Sequence, residues 1–330
     1  MNRRLLINLA LSTIVASLFL FLAFRNVPLA ELRSALERFD ERWLLPAFAI
    51  SFLLMLFRAW RWQLELRPLE PIPLGRLWAV TAVAYMAINL LPIRLGEVVR
   101  PWLLSRRSSV SISNVVGNLV VEKLMDSFSI VFYILIGLLS ASDLPAWVRR
   151  GAMFPAIGAA VFGLVVALLW FRGEPFIDLI MRFLPERFGP GVKRIMRAIL
   201  DGMRILPNGR LLLTVFVGSL ALWFLPVLSS WVIIKAFGFN VPFNAALIVF
   251  IFIGFGTALP NAPGMIGTFQ YACVLALGLF HVAQADALAY GLVLNAIQLI
   301  SIVAQGVIAL PLARVGIDDF QRARAELAGV

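Results

Sequence analysis

The residues whose types and spacing suggest chemistry lie between Arg94 and Asp126. The run NVVGNLVVEKLMD places Asn114, Asn118, Glu122 and Asp126 four residues apart, with Lys123 beside Glu122. On a helix that interval keeps all four on one face, as a polar stripe about 18 Å long. Carboxylates in such a stripe can pair with arginines, hold a cationic group, or act as acid and base on a lipid phosphate. Just upstream, RLGEVVR carries Arg94, Gly96, Glu97 and Arg100, and both arginines suit a counter-charge or a phosphate-binding role.

A second group has no charge. PNAPGMIGTFQ holds Pro260, Pro263, Gly264, Gly267 and Gln270, and further on Asn295, Gln298, Ser301 and Gln305 recur at intervals of three, three and four. Broken backbone at membrane depth is tolerated only inside protein or against a cavity, and the N–H groups of a half-helix favour anions. Plainer roles exist for every one of these residues. The charges can lock helices together as ion pairs, the prolines and glycines can turn the chain, and the amides can bond one helix to the next.

The elements that must position these residues are membrane helices. Of 330 residues 61% are hydrophobic and 14% charged, and several apolar runs reach the length of about 18 residues that a bilayer-crossing helix needs. This composition excludes a soluble catalytic domain. The formal charge of +11 comes from 29 Lys and Arg that sit mostly in short loops between apolar runs, where they set topology and meet anionic lipid headgroups; nucleic acid is not implied. One cysteine, Cys273, and one histidine, His281, rule out disulfides within the chain and cysteine-based metal sites. No nucleotide loop or nucleophile elbow is visible, so no cofactor and no catalytic role are expected.

Long apolar runs cover residues 5–24, 111–140, 152–171, 211–234 and 287–313, and another starts at Trp43. The last of these fades into Arg58, Trp60, Arg61 and Trp62, an aromatic and basic mixture typical of a helix leaving the bilayer. Shorter runs at 77–92, 243–259 and 268–280 are interrupted by proline and glycine, the pattern of half-helices meeting near the midplane at corresponding positions of two halves. The expected architecture is an all-α polytopic membrane protein with about six full spans and two re-entrant broken-helix hairpins. It forms one membrane domain in two inverted halves. The first is 1–141; the second comprises a span at 142–171, a cytoplasmic amphipathic basic segment at 172–210, and 211–330. Under that arrangement 20 Lys and Arg lie inside and 7 outside, which puts both termini in the cytoplasm. Counting every short run as a full span remains an alternative.

Three ordered motifs carry a resemblance to a known family. Arg94-x-Gly96-Glu97-x-x-Arg100, then Glu122-Lys123-x-x-Asp126, then Pro260-x-x-Pro263-Gly264-x-x-Gly267 resemble the flippase-like transmembrane family of lysylphosphatidylglycerol synthases, which also occurs as stand-alone membrane proteins. The likeness covers nearly the whole chain. It implies movement of phospholipids or polyprenyl-linked sugars between leaflets, without the aminoacyl transferase domain of the larger relatives. Lys123 stands where the family often has arginine, and Gln270 where it often has glutamate, which removes a titratable group.

The leading expectation is therefore a lipid translocase of the cytoplasmic membrane whose polar groove admits a headgroup while the acyl chains stay in the bilayer. Arg94 and Arg100 would bind phosphate, Glu122 and Asp126 would hold those arginines or a cationic group, and residues 260–267 would supply amides. Membrane lipids with anionic headgroups are the expected partners, with a homo-oligomer or a lipid-modifying enzyme also compatible. A membrane-embedded enzyme acting on a lipid phosphate and a small-solute transporter are the alternatives. Passive scrambling and proton coupling fit equally well.

Overall fold

The computed structural model describes residues 3–90, 96–140, 145–182, 189–203, 208–257 and 262–313, and these are helical with short connections. Helix α1 spans Arg3–Phe24 and α2 Leu29–Glu37; α3 is Leu44–Leu66, α4 Leu74–Leu90, α5 Gly96–Ser105 and α6 Ile112–Ser140. Then come α7 (Ala146–Arg172), α8 (Glu174–Met181), α9 (Gly189–Gly202), α10 (Gly209–Ala236), α11 (Asn244–Thr257), α12 (Thr268–Gly278) and α13 (Gln284–Leu312).

Four stretches, Glu41–Leu66, Ala146–Arg172, Gly209–Ala236 and Gln284–Leu312, are long and apolar enough to cross a membrane. α1 joins them only together with α2, from which it is bent by 82°. α6 has the length, 29 residues, but carries Glu122, Lys123 and Asp126 within its middle. Much of the outward surface is apolar, as on α7, where Phe154, Ile157, Val161 and Leu164 are exposed. A surface of this kind is matched to lipid tails, not to water. α4 and α11 are short apolar helices.

Local signals account for several boundaries. The Ser111 hydroxyl accepts from the Asn114 amide at 3.2 Å, capping α6, and the Asn208 side chain accepts from Leu211 N at 3.0 Å at the start of α10. The turn after α1 uses Asn26 at positive φ. Gln284 then ties that turn to α13 by donating to the carbonyls of Ala23 and Arg25. α2, for which the sequence reading placed only a connection, packs on α13, and Arg38 pairs with Asp286.

The central pair is α3 against α10. Around it, α13 packs on α4 and α3, while α6 packs on α11 and α10; α4 sits on α5 as α11 sits on α12. Exchanging α3, α4, α5 and α6 for α10, α11, α12 and α13 leaves this set of neighbours unchanged. The α4–α13 contact is close because residue 306 is glycine: a Cβ there would lie 2.5 Å from the Met86 Cβ.

The basic segment between α7 and α10 forms α8 and α9. α9 lies along α6, and Met196, Ile199 and Leu200 join a core with Val120, Val121 and Leu124, so its apolar face meets protein. α8 and α9 are clasped by ion pairs, Arg197 to Glu174 and Lys193 to Asp178. Hydrogen bonds from Arg197 and Lys193 hold the Glu174 and Asp178 carboxyls below their ordinary values.

Two outcomes follow. Gly306→Ala is expected to overpack the α4–α13 seam and to destabilise the protein by about 1–3 kcal/mol, measured by denaturant unfolding of the purified protein. The depressed carboxyls stabilise the α8–α9 clasp above their unfolded values, and that contribution disappears as pH falls through the folded ones. Hydrogen exchange of α9 amides, corrected for intrinsic rates, should therefore accelerate in acid, and Arg197→Ala should produce the same acceleration at neutral pH.

Candidate functional site

Four helices turn polar faces toward one another inside the apolar bundle. α3 supplies Arg61 and Glu65, α5 supplies Arg100, α6 supplies Asn118, Glu122 and Asp126, and α10 supplies Ser219 and Trp223. On α3, α6 and α10 the contributing residues are four apart, so each helix presents one narrow polar face. Arg61, Glu65 and Glu122 are only 2%, 1% and 2% exposed, so solvent does not screen their charges.

Arg61 is the hub. Its Nη1 donates to Asp126 Oδ1 and to Ser219 Oγ at 3.0 Å. Its Nη2 lies 3.3 Å from Glu122 Oε1 and its Nε 3.4 Å from Glu65 Oε1. One guanidinium therefore faces three carboxylates, one on each nitrogen. Arg100 adds the second positive charge: Nη1 donates to Glu122 Oε1 at 2.7 Å, and the guanidinium lies 3.9 Å above the Trp62 ring, a cation–π contact in a dry setting. Trp223 Nε1 donates to Asp126 at 2.8 Å, and Asn118 Nδ2 donates to the Glu65 carbonyl at 3.2 Å.

The hydrogen bonding of the cluster is incomplete. Both oxygens of Glu65, Glu122 Oε2, Asn118 Oδ1, Arg61 Nε, Arg100 Nε and Trp62 Nε1 are buried without a hydrogen-bond partner. Most buried polar atoms in proteins are paired, and a concentration of unpaired ones on both donor and acceptor sides marks a polar centre with spare capacity to bind. Two guanidinium groups and three carboxylates can recognise a headgroup carrying phosphate, amine or both.

The stripe forms as its spacing requires: Asn118, Glu122 and Asp126 are buried and Asn114 is half-buried, while Lys123 points away and is exposed. Arg100 is a counter-charge to Glu122 as expected. The reading of Arg61 as an interfacial residue is overturned, because it lies at the centre of the cluster and is the partner of Asp126. Glu65, Ser219 and Trp223 were not anticipated either. The one available signal was the i, i+4 spacing of Arg61 and Glu65, which an exposed salt bridge would show equally well. Arg94 and Pro260 lie outside the described residues. Gly96 and Glu97 open α5, and the Glu97 side chain is likewise outside them.

The uncharged group folds into its own ring. Gly267 N donates to Gln270 Oε1 at 2.7 Å, Gln270 Nε2 donates to Asn295 Oδ1 at 3.2 Å, and Asn295 Nδ2 donates to the Gly264 carbonyl at 3.1 Å. Gly264 and Gly267 have φ of 69° and 95°, and a Cβ on Gly267 would strike the Ala16 carbonyl of α1. Pro263 begins a short 3-10 turn, Pro263–Met265, that contains Gly264. The expectation that this break offers its amides to an anion meets a correction at Gly267, whose N–H is taken by Gln270. The hydrogen bonds and ion pairs of Glu122 and Asp126 run to α3, α5 and α10, whereas those of Gln270 and Asn295 stay within residues 264–295. Gln298 is half-buried, and Gln305 donates to the carbonyls of Ser301 and Ser51, joining α13 to α3.

Residues 6–306 match the family described as "Lysylphosphatidylglycerol synthase TM region". A UPF0104 membrane protein of Methanothermobacter thermautotrophicus is 23% identical over 299 residues, covering 85% of this chain and 88% of its own length. A UPF0104 membrane protein of Methanocaldococcus jannaschii is 26% identical over 231 residues, covering 68% of this chain and 92% of its own. No solved structure matches the chain.

Removing one partner from a buried charge cluster leaves the others uncompensated, at a cost of about 3–5 kcal/mol. Arg61→Met is expected to destabilise the protein by that amount and by more than Arg100→Met, since Arg61 faces three carboxylates and Arg100 pairs with one. Unfolding of the two variants in the same lipid or detergent compares them directly.

Proposed function

Since the chain belongs to the lysylphosphatidylglycerol synthase transmembrane-region family, a multi-pass membrane protein over nearly its whole length, we propose that it is a lipid translocase. It moves a phospholipid or a polyprenyl-phosphate-linked lipid between leaflets of the cytoplasmic membrane. The observation that carries this reading is the buried cluster of Arg61, Glu65, Arg100, Glu122 and Asp126 with its unpaired polar atoms. Ionisable side chains inside a membrane bundle mark a path for polar cargo by default.

The mechanism follows from the position of the cluster. α3 and α10 form the central seam, and α6 closes on both. Separation of α6 from that seam would open a polar cleft toward lipid while tails remain in hydrocarbon, so only the headgroup crosses in a polar environment. Arg61 and Arg100 would then exchange carboxylate partners for the lipid phosphate, which guanidinium groups bind in a similar geometry. Glu122 and Asp126 hold the arginines between cycles and can meet an amine on a zwitterionic headgroup. The two four-helix sets with matching neighbours act as inverted halves that rock about the α3–α10 seam, with both termini in the cytoplasm.

The experiment is leaflet exchange in proteoliposomes, followed by chemical quenching of a fluorescent phospholipid in the outer leaflet. Glu122→Gln and Asp126→Asn keep shape and remove charge, and each is expected to slow exchange at least about tenfold, which is ~1.4 kcal/mol at the rate-limiting step, while unfolding remains cooperative. Exchange at the wild-type rate in both variants would overturn the assignment.

A further inference from the structure

The charged cluster does not balance. Among the described residues, with every group ionised, three carboxylates face two guanidinium groups, and an uncompensated buried ion is costly. The three carboxylates are unequally served. Glu122 receives a hydrogen bond from Arg100. Asp126 receives hydrogen bonds from Arg61 and from Trp223. Glu65 receives none: its side chain is 0% exposed, its nearest cation is Arg61 Nε at 3.4 Å, and both its oxygens are without a hydrogen bond.

Among the described residues, the groups around Glu65 do not repair this. On its own helix stand Arg61, shared with two other carboxylates, and Arg58, whose guanidinium lies 4.1 Å from the Tyr85 ring of α4. α5 contributes Arg100, committed to Glu122 and Trp62. α6 contributes the two acids, Asn118, and Lys123, which is exposed. α10 contributes Ser219 and Trp223, both bonded to the Arg61–Asp126 pair. From α13, which also packs on α3, come the uncharged Ser301 and Gln305. A buried carboxyl group in these surroundings resolves its charge by binding a proton. Asn118, which already donates to the Glu65 backbone carbonyl, carries a buried Oδ1 without a donor.

We propose that Glu65 is the proton-binding site of this protein and that loss of its proton is coupled to opening of the cleft. In the buried state the protonated acid leaves two carboxylates for two guanidinium groups. Release of that proton to water restores the third negative charge, which is stable only when water or a cationic headgroup reaches the cluster. Rebinding a proton from solution closes the cycle, and no other reactant is consumed. The assignment of the proton to Glu65 stands on the geometry alone; its coupling to transport rests on the translocase reading above. Gln270, uncharged and engaged at both ends of its amide, leaves the second half without a counterpart in its polar ring.

Infrared spectroscopy of the purified protein in lipid at neutral pH tests the first part. Exposed carboxyl groups are then ionised, so a protonated-carboxyl C=O band reports buried acids. That band is expected to lose intensity in Glu65→Gln and to shift in Glu65→Asp. An unchanged band in Glu65→Gln and Glu65→Asp overturns the proposal. Proteoliposomes with an imposed pH gradient of one unit and the membrane potential clamped to zero test the second. One proton per lipid would sustain about a tenfold difference in leaflet concentration, expected for the wild type and absent in Glu65→Gln. Infrared loss with exchange that ignores the gradient overturns the coupling and leaves the translocase reading intact. Infrared loss with no exchange by the wild type overturns the translocase reading and leaves the proton site.

Discussion

A guanidinium group buried among three carboxylates is the constraint from which the arrangement of this bundle follows. In a low-dielectric interior Arg61 needs partners with good geometry from its neighbours, and α3 itself provides one, Glu65. The others must come from α6 and α10. This requirement sets the rotation of three long helices about their axes, because only one face of each can meet the hub. Apolar packing is less particular: leucine and valine surfaces accept many rotations at similar energy, and lipid tails compete with them on equal terms. Buried charge thus specifies which faces meet, and the apolar cores then hold those faces in place.

The two halves share a pattern of neighbours and divide the chemistry. Arg61, Glu65, Glu122 and Asp126 concentrate charge in the first half, with α10 reaching across to complete the cluster. In the second half the corresponding break is held by Gly264, Gly267, Gln270 and Asn295 in a ring of neutral hydrogen bonds. A ring in which each amide both donates and accepts has little spare capacity, and its positive-φ glycines hold the backbone turn against α1. The charged cluster has unpaired atoms and a net charge when fully ionised. The second-half break is thus held by neutral hydrogen bonds, whereas the charged cluster keeps unpaired polar atoms.

Much of the architecture is legible in the residues themselves. Long apolar runs specify the membrane helices because backbone hydrogen bonds in hydrocarbon must be met within the segment. Proline and glycine mark the breaks for the same reason, and the four-residue spacing of Asn118, Glu122 and Asp126 puts them on one face by helical geometry alone. What the pattern does not carry is which helix that face meets. The Arg58, Trp60, Arg61, Trp62 run has the composition of a membrane interface, yet its residues part company in the fold, with Arg61 and Trp62 buried.

The sequence by itself determined the class of the protein, the position of its helices and the presence of charge at membrane depth, since these depend on local composition and helical period. Tertiary structure alone decided that Arg61 is the hub, that Glu65 stands without a hydrogen bond, and that the charged stripe and the amide ring bond within separate networks. The reason is that an ion pair between residues 65 positions apart, such as Arg61 and Asp126, leaves no periodic trace in either segment. Burial is a property of the neighbours a side chain acquires, and those are known only when the helices are packed.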